Sequence, residues 1–139
     1  MREAVIVEMV RTPVGRKNGH LKNFRPDELA ALVIEELVNC SKIDPLLIED
    51  VILGCVSQVG EQAGDIARVA SLIAGLPIEV PGVTIDRQCG SSQQAVHFAA
   101  QAILSGDMDI VIAGGVESMS RIPIGSNYLD AKVNKKLTD

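Results

Sequence analysis

The chain has 139 residues, 47% of them hydrophobic, and a formal net charge of −5. That length and apolar content fit one globular domain with its own core and exclude a disordered chain. The acidic balance argues against a nucleic-acid partner, which is met by a basic face, and no apolar run approaches the roughly 20 residues that a membrane helix needs.

In chain order, Ala4 to Val10 is a β-branched run that predicts a strand. Arg11 to Pro26 is a loop broken by Pro13, Gly15 and Gly19. A helix is expected from Asp27 to Asn39, because Leu29, Val33 and Leu37 recur at helical spacing and Asp27 and Glu28 suit the positive end of its dipole. Asp44-Pro45 opens a single turn. Asp50 to Val56 predicts a second strand, Asp65 to Ala74 a helix and Val83 to Ile85 a third strand. Gly90 to Leu104 predicts a third helix and Asp109 to Ala113 a fourth strand. After Ser120 the periodicity fades into a polar tail from Asn127 to Asp139.

Alternating strands and helices imply an α/β fold with a mixed, mostly parallel sheet. Aromatics are scarce, with one Tyr, two Phe and no Trp, so the core is expected to be aliphatic. The third helix carries Ala95, Val96, Phe98, Ala99, Ala100, Ala102, Ile103 and Leu104, apolar on nearly every face. Such a helix is buried all round, and one sheet covers only one side of it. A dimer partner or the rest of a larger protein is expected to supply the other cover. The start, Met1-Arg2-Glu3-Ala4, shows no leader and the C-terminus no sorting signal, so a soluble cytoplasmic protein is expected.

Cys40, Cys55 and Cys89 lie far apart, which fits neither a disulfide framework nor zinc-ligand spacing. Cys89 is different from the others because Val83 to Leu104 reads strand, turn, helix with Cys89 in the turn. Helix N-termini favour an anion and draw a thiol toward its thiolate. Gly90, Ser91 and Ser92 are small and leave room for a substrate. The other reading is a buried thiol acting as a small hydrophobe. Cys40, near a helix end, and Cys55, in an apolar strand, read as ordinary packing residues.

The stretch Asp86-Arg87-Gln88-Cys89-Gly90-Ser91-Ser92-Gln93-Gln94-Ala95 resembles the nucleophile motif of thiolases. Gly114-Gly115-Val116-Glu117-Ser118-Met119-Ser120 is similar to that family's GGxExMS segment, and Arg11-Thr12-Pro13-Val14-Gly15 to its RTPxG segment. Gly54-x-Val56-x-Gln58-x-Gly60, Ala67-Arg68 and Ala74-Gly75-Leu76-Pro77 follow in the family's order. Three stretches depart from the commoner pattern: Asp86 in place of Asn, Ser92-Gln93-Gln94 in place of a Ser-Gly run, and Gly64-Asp65-Ile66 in place of Gln-Asn-Pro.

The resemblance implies a three-layer N-terminal half with a buried central helix, spanning residues 1–120, and the start of the loop domain that holds coenzyme A in 121–139. It implies an acyl-CoA acyltransferase in which Cys89 carries the acyl group as a thioester. Coenzyme A is then a substrate, and no metal or resident cofactor is needed. The partners it implies are acyl-CoA and a second copy of the chain, or a missing C-terminal half. The family's further catalytic motifs, GHP, CxGGG and NEAF, do not occur here, so the chain reads as a fragment. His97 stands eight residues after Cys89, about 12 Å along a helix, and is out of reach. His20 and Glu117 are likewise not assigned to catalysis. Two rivals are a nucleotide-binding α/β domain, for which no Gly-rich phosphate loop is present, and a non-catalytic dimerisation or regulatory module.

Overall fold

The computed structural model describes residues 2–129. Its regular elements are α1 (Pro26–Ser41), β1 (Asp50–Gly54), α2 (Ile66–Ile73), β2 (Gly82–Ile85), α3 (Ser91–Ser105) and β3 (Val111–Gly115), with short 3-10 turns between them. The strands form one sheet in the order β2-β1-β3, parallel throughout, with Val51 opposite Gly82 and Ile112.

Side chains alternate across a strand, and β1 uses both faces. Val51 and Leu53 pack with Ala30, Ala31 and Ile34 of α1 and Ala67 and Ala70 of α2. Ile52 points the other way, onto Ala95 and Ala99 of α3. The result is helices, sheet, helix in three layers. Such a sheet is covered on both faces, which is why Val51 through Cys55 read as an apolar run interrupted only by Gly54.

Helix α1 begins one residue earlier and ends two later than the spacing predicts. Pro26 takes the first helical position, and the Glu28 carboxylate accepts from the Arg25 N–H at 3.1 Å. Asp27 does more than face the dipole. It is buried and accepts from Arg25 Nε at 3.0 Å and Nη2 at 2.7 Å. β3 starts two residues later than expected, because the Glu49 carboxylate captures the N–H groups of Asp109 and Ile110.

The expected strand over residues 4–10 does not form. A strand exists only where a neighbour completes its ladder. These residues instead line a cavity of about 1640 Å³ whose other walls include α1, α3 and β3. Open space flanks them, and Val5, Ile6, Val7 and Met9 are 67% to 77% exposed.

Helix α3 is buried on its sheet-facing side alone. Ser91, Ala95 and Ala99, four residues apart, form the buried stripe, while Val96, Phe98 and Leu104 are exposed. The described residues contain no layer that covers this outer face. The tail expected from 127 lies, from residue 130 on, outside the described residues, as does most of the segment 121–139. Among the described residues no helix is long and apolar enough to cross a membrane.

Candidate active site

Cys89 stands in the turn between β2 and α3, two residues before the helix starts, and is exposed. The reading of it as a buried small hydrophobe is therefore set aside. In the first turn of α3 the Ser91 N–H donates to the Gln88 carbonyl at 3.0 Å and the Gln94 N–H to the Gly90 carbonyl at 2.9 Å, which joins the helix start to the turn.

The turn is held by side chains. The Asp86 carboxylate accepts from the Gln88 N–H at 2.7 Å. Ser91, 4% exposed, accepts from the Arg87 N–H at 2.8 Å and donates its hydroxyl to the Gln88 carbonyl at 2.6 Å. Arg87 reaches along the helix to Gln94 Oε1 at 2.5 Å. Between these ties Gln88 adopts φ +50°, the left-handed region that side chains other than Gly, Asn and Asp rarely occupy.

Two glycines at strand ends set how deeply α3 sits. A Cβ on Gly54 would collide with the Ser91–Ser92 backbone, and one on Gly115 would collide with the Ser92 side chain. Their absence lets the first turn of α3 rest directly on the ends of β1 and β3. The small faces of Ala95 and Ala99 continue the same close approach along the helix.

Beyond β3 the chain is tied back by Glu117. Its carboxylate accepts from the N–H groups of Val56 at 2.8 Å and Ser57 at 3.3 Å, and from Gln62 Nε2 at 2.8 Å. Gln62, fully buried, returns a bond by accepting from the Ser118 N–H at 2.8 Å. Glu117 is thus spent on backbone amides. Arg121 then forks onto both oxygens of Glu61, each at 2.5 Å, and the chain bends until Tyr128 accepts from Gln88 Nε2 at 3.3 Å.

The other two thiols are placed differently. Cys55 is buried at the end of β1, and burial first, then the charges of Glu117 and Asp86, push it up to about 12. Cys40 is exposed, and its hydrogen bond to Glu36 Oε1 at 3.4 Å raises it. His97 is exposed on α3 and His20 is exposed in the loop before α1. Among the described residues no group of three His, Cys, Asp or Glu side chains could hold a metal ion.

Cys89 is thus an exposed cysteine ahead of a helix, with its turn clamped and its helix seated on strand-end glycines. The sequence motifs that surround it match a known family: the chain agrees with the family described as thiolase, N-terminal domain, over residues 4–137.

The chain belongs to the thiolase family.

Among individual thiolases, it is 55% identical over 126 residues to the steroid 3-ketoacyl-CoA thiolase FadA6 of Mycobacterium tuberculosis, covering 91% of this chain and 31% of that protein. It is 54% identical over 124 residues to the 3-oxoadipyl-CoA/3-oxo-5,6-dehydrosuberyl-CoA thiolase of Escherichia coli, covering 88% of this chain and 31% of that protein. Among solved structures, the acetyl-CoA acetyltransferase of Bacillus anthracis superimposes with a TM-score of 0.81 at 45% identity, over 86% of this chain and 30% of that one. The chain spans about a third of the length of the thiolases it matches.

Sequence reasoning placed Cys89 in a turn between strand and helix, and the structure has it there. That reasoning missed the clamps. Asp86 and Ser91 stand within the motif, but nothing in the sequence marks their side chains as the ones that close the turn. The signal for Gly54 and Gly115 was present, since each ends an apolar strand where the next layer must come close.

Proposed function

We propose that this chain is the N-terminal, nucleophile-bearing part of a thiolase, with Cys89 as the residue that takes the acyl group. The observation that carries this is the exposed Cys89 thiol in a clamped turn ahead of α3. In the degradative direction the Cys89 thiolate attacks the 3-keto carbonyl of a 3-ketoacyl-CoA. The bond between the second and third carbons breaks, its electron pair leaves with acetyl-CoA, and that carbon takes up a proton. The shortened acyl group stays on sulfur as a thioester, and the thiol of free coenzyme A displaces it. Covalent catalysis of this kind divides one hard step into two.

The names of the two thiolases above specify 3-keto or 3-oxo acyl-CoA substrates, which supports the degradative direction. Residues 1–120 form the nucleophile domain in this reading, and 121–139 begin the segment that holds coenzyme A. This reading takes its proton-transfer groups from outside this chain: His97 lies eight residues after Cys89, on α3, and His20 lies before α1. A cytoplasmic homo-oligomer with coenzyme A as substrate and no metal fits the same reading.

The test is intact-protein mass after incubation with acetoacetyl-CoA, beside a Cys89→Ser control. One acetyl gain, lost in the control, is the expected result. No gain in a folded sample would sink the idea that this part alone builds a working nucleophile.

A further inference from the structure

We propose that Ser91 is a positioning residue for Cys89, acting through the backbone of Gln88. The inference deepens the reading of Cys89 as nucleophile and rests on it. Cys89 is flanked by a residue in a disfavoured conformation, Gln88 at φ +50°. A long unbranched side chain does not stay in the left-handed region unless its surroundings hold it there. The surroundings are two side chains and one backbone bond, from the Ser91 N–H to the Gln88 carbonyl at 3.0 Å. Asp86 holds the Gln88 N–H. Ser91 holds the Gln88 carbonyl at 2.6 Å and the Arg87 N–H at 2.8 Å, so one hydroxyl grips both sides of the Arg87–Gln88 peptide.

The two clamps differ in what anchors them. Asp86 is exposed and belongs to the turn itself. Ser91 is the first residue of α3, is 4% exposed and packs above Gly54. The Ser91 hydroxyl therefore ties the conformation of the turn to the seating of the helix on the sheet. Without it the Arg87 N–H loses its acceptor, the Gln88 carbonyl keeps only the Ser91 N–H, and Gln88 relaxes toward negative φ. Cys89 is then displaced from its place two residues ahead of α3, a helix terminus that favours anions.

This makes a specific prediction about rescue. Glycine occupies positive φ freely. Replacing Gln88 by glycine should restore the turn when the Ser91 hydroxyl is gone. A serine needed merely for packing beneath the helix would not be rescued from exposed position 88.

The experiment uses the chain's own three thiols and needs no acyl-CoA. Alkylation by iodoacetamide near neutral pH is followed peptide by peptide in the wild type, Ser91→Ala, Gln88→Gly and the double variant. Cys40 is the surface reference and buried Cys55 reports loosening of the core. Loss of two hydrogen bonds predicts that Ser91→Ala slows Cys89 roughly ten-fold against Cys40. Cys55 should stay protected, and the double variant should recover most of the wild-type rate.

The proposal is overturned by an unchanged Cys89 rate in Ser91→Ala, by a double variant as slow as Ser91→Ala, or by Cys55 becoming labelled together with Cys89. Because the probe is a small alkylating agent, the rescue pattern can hold while acylation fails. Failure of the nucleophile reading is in that way distinct from failure of this one.

Discussion

Gly54, the last residue of β1, lies directly beneath the backbone of Ser92 in the first turn of α3, with no room for a methyl group between them. The obstacle to a side chain there is main chain, which cannot rotate aside. Gly54→Ala should therefore destabilise the fold by about 3 kcal/mol, the upper part of the usual range for overpacking. Urea denaturation measures this, and a change below about 0.5 kcal/mol, the size of an ordinary surface substitution, would contradict the close approach.

The Gln62–Glu117 pair should behave as one unit. Gln62→Leu leaves the Ser118 N–H without its acceptor and takes one donor from a carboxylate. A loss of about 2 kcal/mol is expected for bonds of this kind. A double-mutant cycle with Glu117→Gln should return a coupling of at least about 1 kcal/mol, since the two residues share one network. Simple additivity would show that the two act separately.

Stability should fall in acid in a particular window. Burial acts to raise the Asp27 carboxyl, but the hydrogen bonds from Arg25 and from the Glu28 N–H outweigh it and hold the group low. The fork from Arg121 similarly holds Glu61 low. A carboxyl with a depressed folded value favours the folded state above its unfolded value, near 4, and that contribution disappears as pH falls through the folded value. The urea midpoint should therefore hold down to about pH 5 and then drop. The drop should be shallower in Asp27→Asn, and equal slopes in the two proteins would remove Asp27 from the account.

Cys55 should resist alkylation at mildly alkaline pH in the folded chain and react once urea is added. It is buried, and its thiol is pushed up to about 12, so almost no thiolate is present. Rapid native labelling of Cys55 would mean that the end of β1 opens in solution.

Much of this architecture was legible because its signals are local. The strand-turn-helix run around Cys89 follows from β-branched residues, a small-residue turn and helical spacing, and it appeared where expected. The apolar run of β1 predicted a strand, and the structure shows helices covering both of its faces. What could not be read was long-range. Ala4 to Val10 has the composition of a strand, but composition does not supply a neighbour to pair with. The apolar wrap of α3 announced burial, yet Val96, Phe98 and Leu104 stay exposed because no layer among the described residues reaches them. Within the site, Cys89 was legible as a thiol ahead of a helix. The Asp86 and Ser91 clamps were not, because which of several short polar side chains turns back onto the main chain is settled in three dimensions.

Among the described residues β3 has no partner on its outer edge, and this edge and the exposed, mostly apolar run at residues 4–10 also have a colloidal consequence. Sheets with an open edge add strands from other molecules, and β-branched segments of low net charge are good recruits. Kept by itself in solution, this chain carries both halves of such a pairing, the template and the recruit. Its light scattering should climb with concentration, and a lysine in place of Ile6 should lower the slope by breaking the recruit while leaving the template in place.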